Sequence, residues 1–172
     1  MERDNCELQQ YGKQNCIEIA GIPESVKQNE LESKVVKIGA IMDVKVEPSD
    51  IELCHRLPGQ NVNKQGILQP RRTIVRFINR KNAEKFQRQK KILKLKSNEL
   101  RDCGLINKIY INNSLCPYYR MILGKVIKLQ KQGNLFEYWI YNGVINILEE
   151  ENSDPIKVTH ISDIDHLLED RN

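Results

Sequence analysis

The chain has 172 residues, with 27 Lys or Arg and 23 Asp or Glu side chains, so its net charge at pH 7 is +4. This length suits one or two small domains, and 40% hydrophobic with 29% charged residues is typical of a folded globular protein. No apolar run approaches the roughly 18 residues that a membrane span needs, and residues 1–5 are too polar for a secretory signal. The composition therefore excludes a membrane-spanning, collagen-like or linker-like chain.

The five cysteines, at positions 6, 16, 54, 103 and 116, are odd in number, and no two have the C-x-x-C spacing. His55 follows Cys54 directly, but neighbours on a strand point to opposite faces, so this pair does not predict a metal site. Reduced, mostly structural thiols are typical of cytosolic and nuclear proteins, and we expect the chain to act there without a metal.

The positive charge is concentrated in one short stretch. Residues 71–101 hold 12 basic and two acidic side chains, a net charge of +10, whereas the segments before and after it each have a net charge of −3. Such a block repels itself when the chain compacts, and it attracts polyanions. A solvated Lys-rich helix face is the ordinary alternative, but here the arginines begin on a predicted strand.

Residues 1–14 are polar and predict at most two helical turns, as at the end of a coiled coil. Hydrophobic periodicity then predicts further elements in chain order. They are a strand at 16–20, a helix capped by Asn29 with Leu31, Val35 and Ile38 on one face and Gly39 near its end, a strand at 51–57 with Ile51, Leu53 and Leu57 on one face, a flexible loop at 59–70, a strand at 73–78, a helix at 81–96 and a strand at 109–111. The order β-α-β-β-α-β predicts an α+β domain over residues 15–112, of the RNA-recognition-motif-like or ferredoxin-like class.

Residues 113–172 predict a second, small α/β domain made of a helix, a β-hairpin and a final helix. Ser114 is placed to cap a helix that runs to Lys131, with Pro117 in its first turn. The helix is amphipathic, with an apolar side and a basic stripe. The basic stripe consists of Arg120, Lys125, Lys128 and Lys131.

The pair Asn142-Gly143 lies between two runs rich in aromatic and β-branched residues, which predicts a type I′ hairpin. The turn sets the register, with Ile140 opposite Ile145 and Tyr138 opposite Ile147. Residues 156–161 predict a third strand, and a capping-box pattern beginning at Ser162 predicts the last helix.

Motifs of common enzyme classes are absent, including the P-loop, G-x-G-x-x-G, G-x-S-x-G and H-E-x-x-H. The acidic residues 149–154 are typical of a solvated turn. We therefore expect no enzymatic activity and no cofactor. The remaining enzymatic alternative is a nuclease whose paired carboxylates are brought together only by folding.

The candidate binding surface centres on Pro70-Arg71-Arg72-Thr73-Ile74-Val75-Arg76-Phe77, where a loop enters a predicted strand. Arginine suits phosphate because its planar guanidinium bonds two oxygens at once. For Arg76, the alternative is a salt bridge across the sheet to Glu18 or Glu52. The predicted nucleic-acid-binding residues are Arg71, Arg72, Arg76, Arg80, Lys81, Arg120, Lys125 and Lys128.

The aromatic residues that ordinary RNA-recognition motifs carry on their sheet are missing from the corresponding predicted strands. Base stacking on the sheet is therefore not expected. The candidate base-stacking residues lie elsewhere, where filling the junction between the two predicted domains is their alternative role. They are Tyr118, Tyr119, Trp139 and Tyr141.

A series of short motifs is informative through its order and spacing. The motifs are Gln10-Tyr11-Gly12-Lys13-Gln14-Asn15-Cys16-Ile17-Glu18-Ile19-Ala20-Gly21-Ile22-Pro23-Glu24, Asp50-Ile51 with His55-Arg56-Leu57, Pro70-Arg71, Ile74-Val75-Arg76-Phe77, Ile109-Tyr110-Ile111-Asn112 with Leu115, and Trp139 with Asn142-Gly143. In this order they resemble the first-open-reading-frame proteins of LINE retrotransposons. The pattern is also similar to the few-polyhedra (FP) protein family of baculoviruses and insects, and it covers about residues 15–172.

This resemblance implies a non-enzymatic protein of the ribonucleoprotein and chaperone type. Such proteins hold single strands, RNA in preference to DNA, in a basic cleft between an RNA-recognition-like domain and a C-terminal domain. The resemblance assigns phosphate binding to Arg71 and Arg76, and to the basic C-terminal helix. It also implies a homo-oligomer formed through an N-terminal coiled coil, of which residues 1–14 retain at most the end. Relatives commonly place basic residues after the hairpin turn, whereas residues 144–151 here are apolar and then acidic.

We therefore expect sequence-tolerant binding of single-stranded nucleic acid, dominated by contacts to phosphate. The alternative is a viral or host structural or protein-interaction module of the few-polyhedra type, in which the basic block meets an acidic protein. Nuclease treatment separates the two hypotheses, because only the second predicts a partner that stays bound after the nucleic acid is digested.

Overall fold

The computed structural model of the chain describes residues 2–169. The fold is α+β, with antiparallel sheets and several helices. It divides into two compact units, which we call the central unit (Asn15–Ser114) and the terminal unit (Met1–Gln14 with Leu115–Asn172). The sequence-based division instead kept residues 1–14 apart from the C-terminal residues. Among the described residues, every helix is too short or too polar to cross a bilayer.

The chain forms seven α-helices and nine short strands within residues 2–169. In order they are α1 (Glu2–Tyr11), β1 (Cys16–Ala20), α2 (Leu31–Ile41), β2 (Ile51–Arg56), β3 (Asn61–Val62), β4 (Leu68–Gln69), β5 (Thr73–Phe77), α3 (Arg80–Gln89), α4 (Ile92–Leu95), α5 (Ser97–Asp102), β6 (Tyr110–Asn113), α6 (Pro117–Lys131), β7 (Glu137–Tyr141), β8 (Val144–Leu148), β9 (Ile156–Val158) and α7 (Asp165–Glu169).

The central unit is built on a four-stranded antiparallel sheet in the order β2-β5-β1-β6. One face of this sheet carries Ile17 and Ile19 from β1 and Val75 and Phe77 from β5, all fully buried. These residues share one apolar cluster with buried side chains of the helices, such as Phe86 of α3. The opposite face carries the alternate residues of each strand, because successive side chains point to opposite sides.

The predicted strand at 16–20 is confirmed, but the predicted face of β2 is wrong at Leu53. The pairing of β2 with β5 shifts between Ile51 and Leu53, which is the mark of a β-bulge. The bulge reverses the alternation, so Cys54 is buried while Leu53 is 41% exposed. Burial raises the pKa of the Cys54 thiol to about 12.

The sequence predicted that α2 ends near Gly39, but the helix continues to Ile41. A Cβ atom built on Gly39 would lie 2.7 Å from the carbonyl oxygen of Val44 and 3.0 Å from the ring of Phe86. The glycine is therefore required by close packing. The start of α2 also differs from the prediction. A 3-10 turn, Gln28–Glu30, precedes the helix, and its N-cap is Lys27, so Asn29 lies within the turn and does not act as the predicted cap.

Two predictions in the middle of the chain are wrong in detail. The loop predicted at 59–70 contains a two-stranded ribbon of β3 and β4, whose turn is closed by Asn63 Oδ1 accepting from the Gln65 and Ile67 amides. The single helix predicted at 81–96 is instead three helices, α3 to α5. Only α3 is longer than two turns.

In the terminal unit, the predicted hairpin and its register are confirmed. Asn142 has φ +49° and Gly143 has φ +74°, as a type I′ turn requires. Ile140 pairs with Ile145, and Tyr138 pairs with Ile147. The predicted third strand is present as β9, which pairs with β8.

Helix α6 packs on the hairpin sheet through a buried stripe of Tyr119, Ile122, Val126 and Leu129. Its N-cap is Cys116, not the predicted Ser114. The last helix is preceded by a 3-10 turn, Ile161–Ile164, in which Asp163 Oδ2 accepts from the Thr159 and His160 amides.

Helix α1 is tied to the rest of the terminal unit through Gln10, which is buried. Gln10 Oε1 accepts a hydrogen bond of 2.9 Å from the Cys116 amide at the start of α6. A Cβ atom on Gly143 would come within 2.5 Å of Gln10 Nε2. One glutamine therefore joins the N-terminal helix, the start of α6 and the hairpin turn.

Candidate nucleic-acid interface

Arg71 lies just before β5, where its guanidinium meets a carboxylate. Its Nε and Nη2 atoms each lie 3.1 Å from an oxygen of Glu24, and its backbone amide donates to the same carboxylate at 2.7 Å. These hydrogen bonds lower the pKa of Glu24 and raise that of Arg71. Both side chains remain nearly half exposed, so phosphate can compete with the carboxylate for the arginine.

Arg56, which sequence reasoning missed, lies beside this pair with only 7% of its side chain exposed. Its guanidinium donates to the carbonyls of Ile22, Pro23, Val26 and Arg71. Desolvation lowers its pKa, while Glu24, 3.6 Å away, opposes that shift. Arg56 therefore has a structural role in holding the segment after β1 against the start of β5. In the sequence, only its position near the end of the predicted strand 51–57 could have indicated this structural role.

Arg72 forms an ion pair that differs from that of Arg71 in burial. Its Nη1 lies 2.9 Å from Oε2 of Glu18, whose side chain is 3% exposed. Displacing Arg72 would leave a buried carboxylate without this counter-charge, which is costly. We therefore assign Arg72 to the stability of the sheet.

Arg76 lies in the middle of β5, on the sheet face opposite the helices, and 41% of its side chain is exposed. Its Nε is 4.0 Å from Glu52, the longest contact among these strand arginines, so one of the two alternative partners from the sequence is present. A hydrogen bond with Cys16, its neighbour across the strands, raises the pKa of Arg76. A long, exposed ion pair leaves this guanidinium available to a ligand.

At the start of α3 the predicted residues diverge. Arg80 pairs with Glu84 one turn along the helix, at 3.9 Å. Lys81 is exposed, and its backbone amide is capped by Asn79 Oδ1. Thus Arg71, Arg72, Arg76 and Arg80 all have carboxylate partners, whereas Lys81 has none in the part of the chain that the structure describes.

Lys81 belongs to a set of exposed cations that have no carboxylate partner within residues 2–169. Within the basic segment 71–101, the exposed cations of this kind are Lys81, Lys85, Arg88, Lys91, Lys94 and Arg101. Lys81, Lys85 and Arg88 lie at positions i, i+4 and i+7, so they form one stripe on the face of α3 away from the buried Ala83 and Phe86. We call these three residues the α3 row.

The other predicted basic residues lie in the terminal unit, on α6. Lys125 and Lys128 are exposed, as the predicted amphipathic pattern requires. Arg120 is also exposed and donates to the Leu115 carbonyl. These residues form a second basic stripe within their own unit.

Two of the four candidate stacking residues, Tyr118 and Tyr119, make packing or hydrogen-bond contacts within the terminal unit. Tyr119 is 2% exposed in the apolar cluster. Tyr118 accepts a hydrogen bond from the Ile161 amide and lies beside Tyr119 and His160. Tyr119 has no open ring face for a base, whereas the half-buried Tyr118 already contacts two neighbouring rings.

The other two, Trp139 and Tyr141, lie on the hairpin face opposite Tyr138 and Ile140. Tyr141 is 63% exposed, and Trp139 is half-buried. Trp139 pairs with Asn146, which in turn pairs with Lys157 on β9, so an aromatic ring and a cation share this face. Single-strand binding surfaces combine aromatic rings with cations, so these residues stay candidates for base stacking.

Among residues 2–169, no three His, Cys, Asp or Glu side chains come together in a way that would hold a metal ion. Comparison with protein-family models and with curated proteins finds no match to this chain.

Proposed function

We propose that the chain is a non-enzymatic protein that binds single-stranded nucleic acid with little sequence preference, RNA before DNA. It belongs to the ribonucleoprotein and chaperone type implied by the LINE resemblance. Phosphate contacts supply most of the affinity, because a polyanion interacts with basic side chains whatever its sequence.

We further propose that the central unit is an RNA-recognition-motif-like domain. Its elements follow the order β-α-β-β-α-β once the small β3–β4 ribbon is set aside, with two further short helices after α3. The four strands are arranged with the first and third in the middle, which supports this assignment. β1 and β5 lack the exposed aromatic residues of ordinary members, so stacking on these two strands is not part of the proposal.

The single observation that carries the function is the α3 row. A +10 segment contains three cations on one helix face that have no carboxylate partner among the described residues. Glu84 is the one acidic residue of α3, and it pairs with Arg80 and not with a member of the row. An unneutralised stripe attracts a flexible polyanion and orders it only loosely, which suits sequence-tolerant binding.

The three arginines just before β5 and within it, Arg71, Arg72 and Arg76, contribute unequally to the proposed surface. Arg71 and Arg76 have exposed partners, so phosphate can replace Glu24 or Glu52 at little cost. Arg72 is excluded because its partner is buried. The proposal therefore keeps Arg71, Arg76 and Lys81 from the sequence-based set and adds Lys85 and Arg88.

The test is binding of a labelled single strand of ~25 nucleotides and of the matching duplex, across salt concentration. With roughly six phosphates engaged, the slope of log affinity against log salt is expected to be about −4. Affinity then falls by about two to three decades between 50 and 200 mM salt. The single strand is expected to bind more tightly than the duplex.

Two results would contradict the proposal. An affinity that does not change with salt rules out phosphate contacts as its source. A partner captured equally well after nuclease treatment, together with no measurable binding to the single strand, favours the protein-interaction alternative.

A further inference from the structure

A separate surface of the central unit lies between α4, α5 and the segment that leads into β6. It is a groove of about 510 Å³. Its floor is aliphatic and belongs to the core, formed by Leu93, Leu100, Leu105 and Ile109, which are all less than 10% exposed. Its volume lies in the range that is typical of binding clefts.

The rim of the groove is basic and partly apolar. Lys94, Arg101 and Lys108 are its charged residues, and no carboxylate lines it. Each of the three is exposed and has no ion pair within residues 2–169. Ile106 is 72% exposed at the rim, where an isoleucine has no core to fill.

We infer that this groove docks an acidic amphipathic peptide segment of a partner protein. Aliphatic side chains on one face of the segment occupy the floor and cover Ile106. Carboxylates on its flanks meet Lys94, Arg101 and Lys108. The match rests on charge complementarity, since the groove combines an apolar base with three cations that no acidic residue of the groove neutralises.

A nucleic acid fits the same groove less well. Bases stack on aromatic rings or on guanidinium planes, and among the residues that line the groove Tyr110 and Arg101 alone offer these, both at the rim and not on the floor. Four buried aliphatic side chains offer nothing to a base edge, but they match leucine or isoleucine side chains. The docking site therefore goes beyond the proposed nucleic-acid function, because the α3 row is not part of the groove.

The probe is a short fluorescent peptide of leucine and glutamate with its leucines on one helical face. A peptide of the same composition in scrambled order serves as its control. In the full chain, Lys94→Glu with Arg101→Glu tests the groove. Lys37→Glu with Lys45→Glu is the matched control, because these exposed lysines lie outside the groove and the charge change is the same.

The groove variant is expected to lose about tenfold or more in affinity for the amphipathic peptide, whereas the control variant loses less than about twofold. In the unaltered protein, the peptide should shift the methyl resonances of Ile106 and Ile109, a readout that does not depend on how any variant folds. Equal losses in the two variants, or equal binding of the scrambled peptide, would overturn the inference. It would also be overturned if a single-stranded RNA, but not the peptide, shifts these methyl groups.

Discussion

Arg72 and Glu18 form an ion pair of 2.9 Å in which the two partners differ sharply in burial, the carboxylate being 3% exposed and the guanidinium 35%. Such a pair adds little stability in itself, but breaking it removes a counter-charge from a buried carboxylate. It therefore constrains which residues on the strand can be replaced.

Arg72→Ala is expected to destabilise the protein by about 2–3 kcal/mol, because Glu18 loses its counter-charge. Arg71→Ala, which breaks the exposed pair with Glu24, is the matched control and should destabilise the protein much less. Urea denaturation followed by circular dichroism measures both. Equal effects of the two substitutions would mean that the burial of Glu18 does not matter.

Neutralising the α3 row with Lys81→Gln, Lys85→Gln and Arg88→Gln is expected to weaken single-strand binding for all sequences alike. Loss of three phosphate contacts should reduce the salt slope by about 2. The control is Lys37→Gln, Lys45→Gln and Lys64→Gln, which removes the same charge from exposed positions elsewhere. If both triple variants weaken binding equally, only net charge is involved.

Arg71→Gln with Arg76→Gln tests the contribution of the strand. Both side chains are in exposed ion pairs, so the fold should persist while affinity falls for every sequence tested. Fluorescence anisotropy with two unrelated single strands makes the comparison. An unchanged affinity would restrict the phosphate-binding surface to α3.

Two helical glycines are expected to respond oppositely to alanine. Gly39→Ala should destabilise by about 1–3 kcal/mol, because the new methyl group would meet the Val44 carbonyl and the Phe86 ring. A Cβ atom added to Gly124 of α6 would meet nothing within 4 Å beyond its own helix backbone and chain neighbours, so Gly124→Ala should stabilise by about 0.5–1 kcal/mol. Thermal denaturation shows the sign of each change, and a stabilising Gly39→Ala would contradict the packing.

The cysteines are expected to differ in reactivity toward iodoacetamide at pH 8. Cys54 should resist alkylation, because burial raises its pKa to about 12 and leaves almost no thiolate. Cys16 and Cys116 are also buried, whereas Cys6 and Cys103 are partly exposed and should be modified first. Peptide mass spectrometry gives the order, and early modification of Cys54 in the folded protein would refute it.

Sequence patterns predicted best those elements whose conformation is set by residues that are close together in the chain. The hairpin follows from Asn142-Gly143, since both turn positions need positive φ and the turn then sets the register. The strand at β1 follows from the alternation of its residues. The face of β2 was not predictable by alternation, because a bulge before Leu53 exchanges its two faces.

Interactions between distant residues account for what the sequence did not predict. The role of Gly39 depends on Phe86, which follows it by half the length of the central unit. For the candidate site, the sequence showed the block of positive charge, but it did not show which carboxylates form ion pairs with the arginines. Glu24 and Glu18 lie 47 and 54 residues from the arginines that they bind. Without those partners, paired and unpaired cations look alike.

The link that Gln10 makes to Cys116 and Gly143 also has a consequence for synthesis on the ribosome. Helix α1 emerges about a hundred residues before the segments that Gln10 joins, so those partners are missing while Asn15–Ser114 is being translated. The middle of the chain can assemble first, and the terminal unit closes only afterwards. Translation order thus favours an intermediate in which one half is folded while the first helix waits for its binding partners.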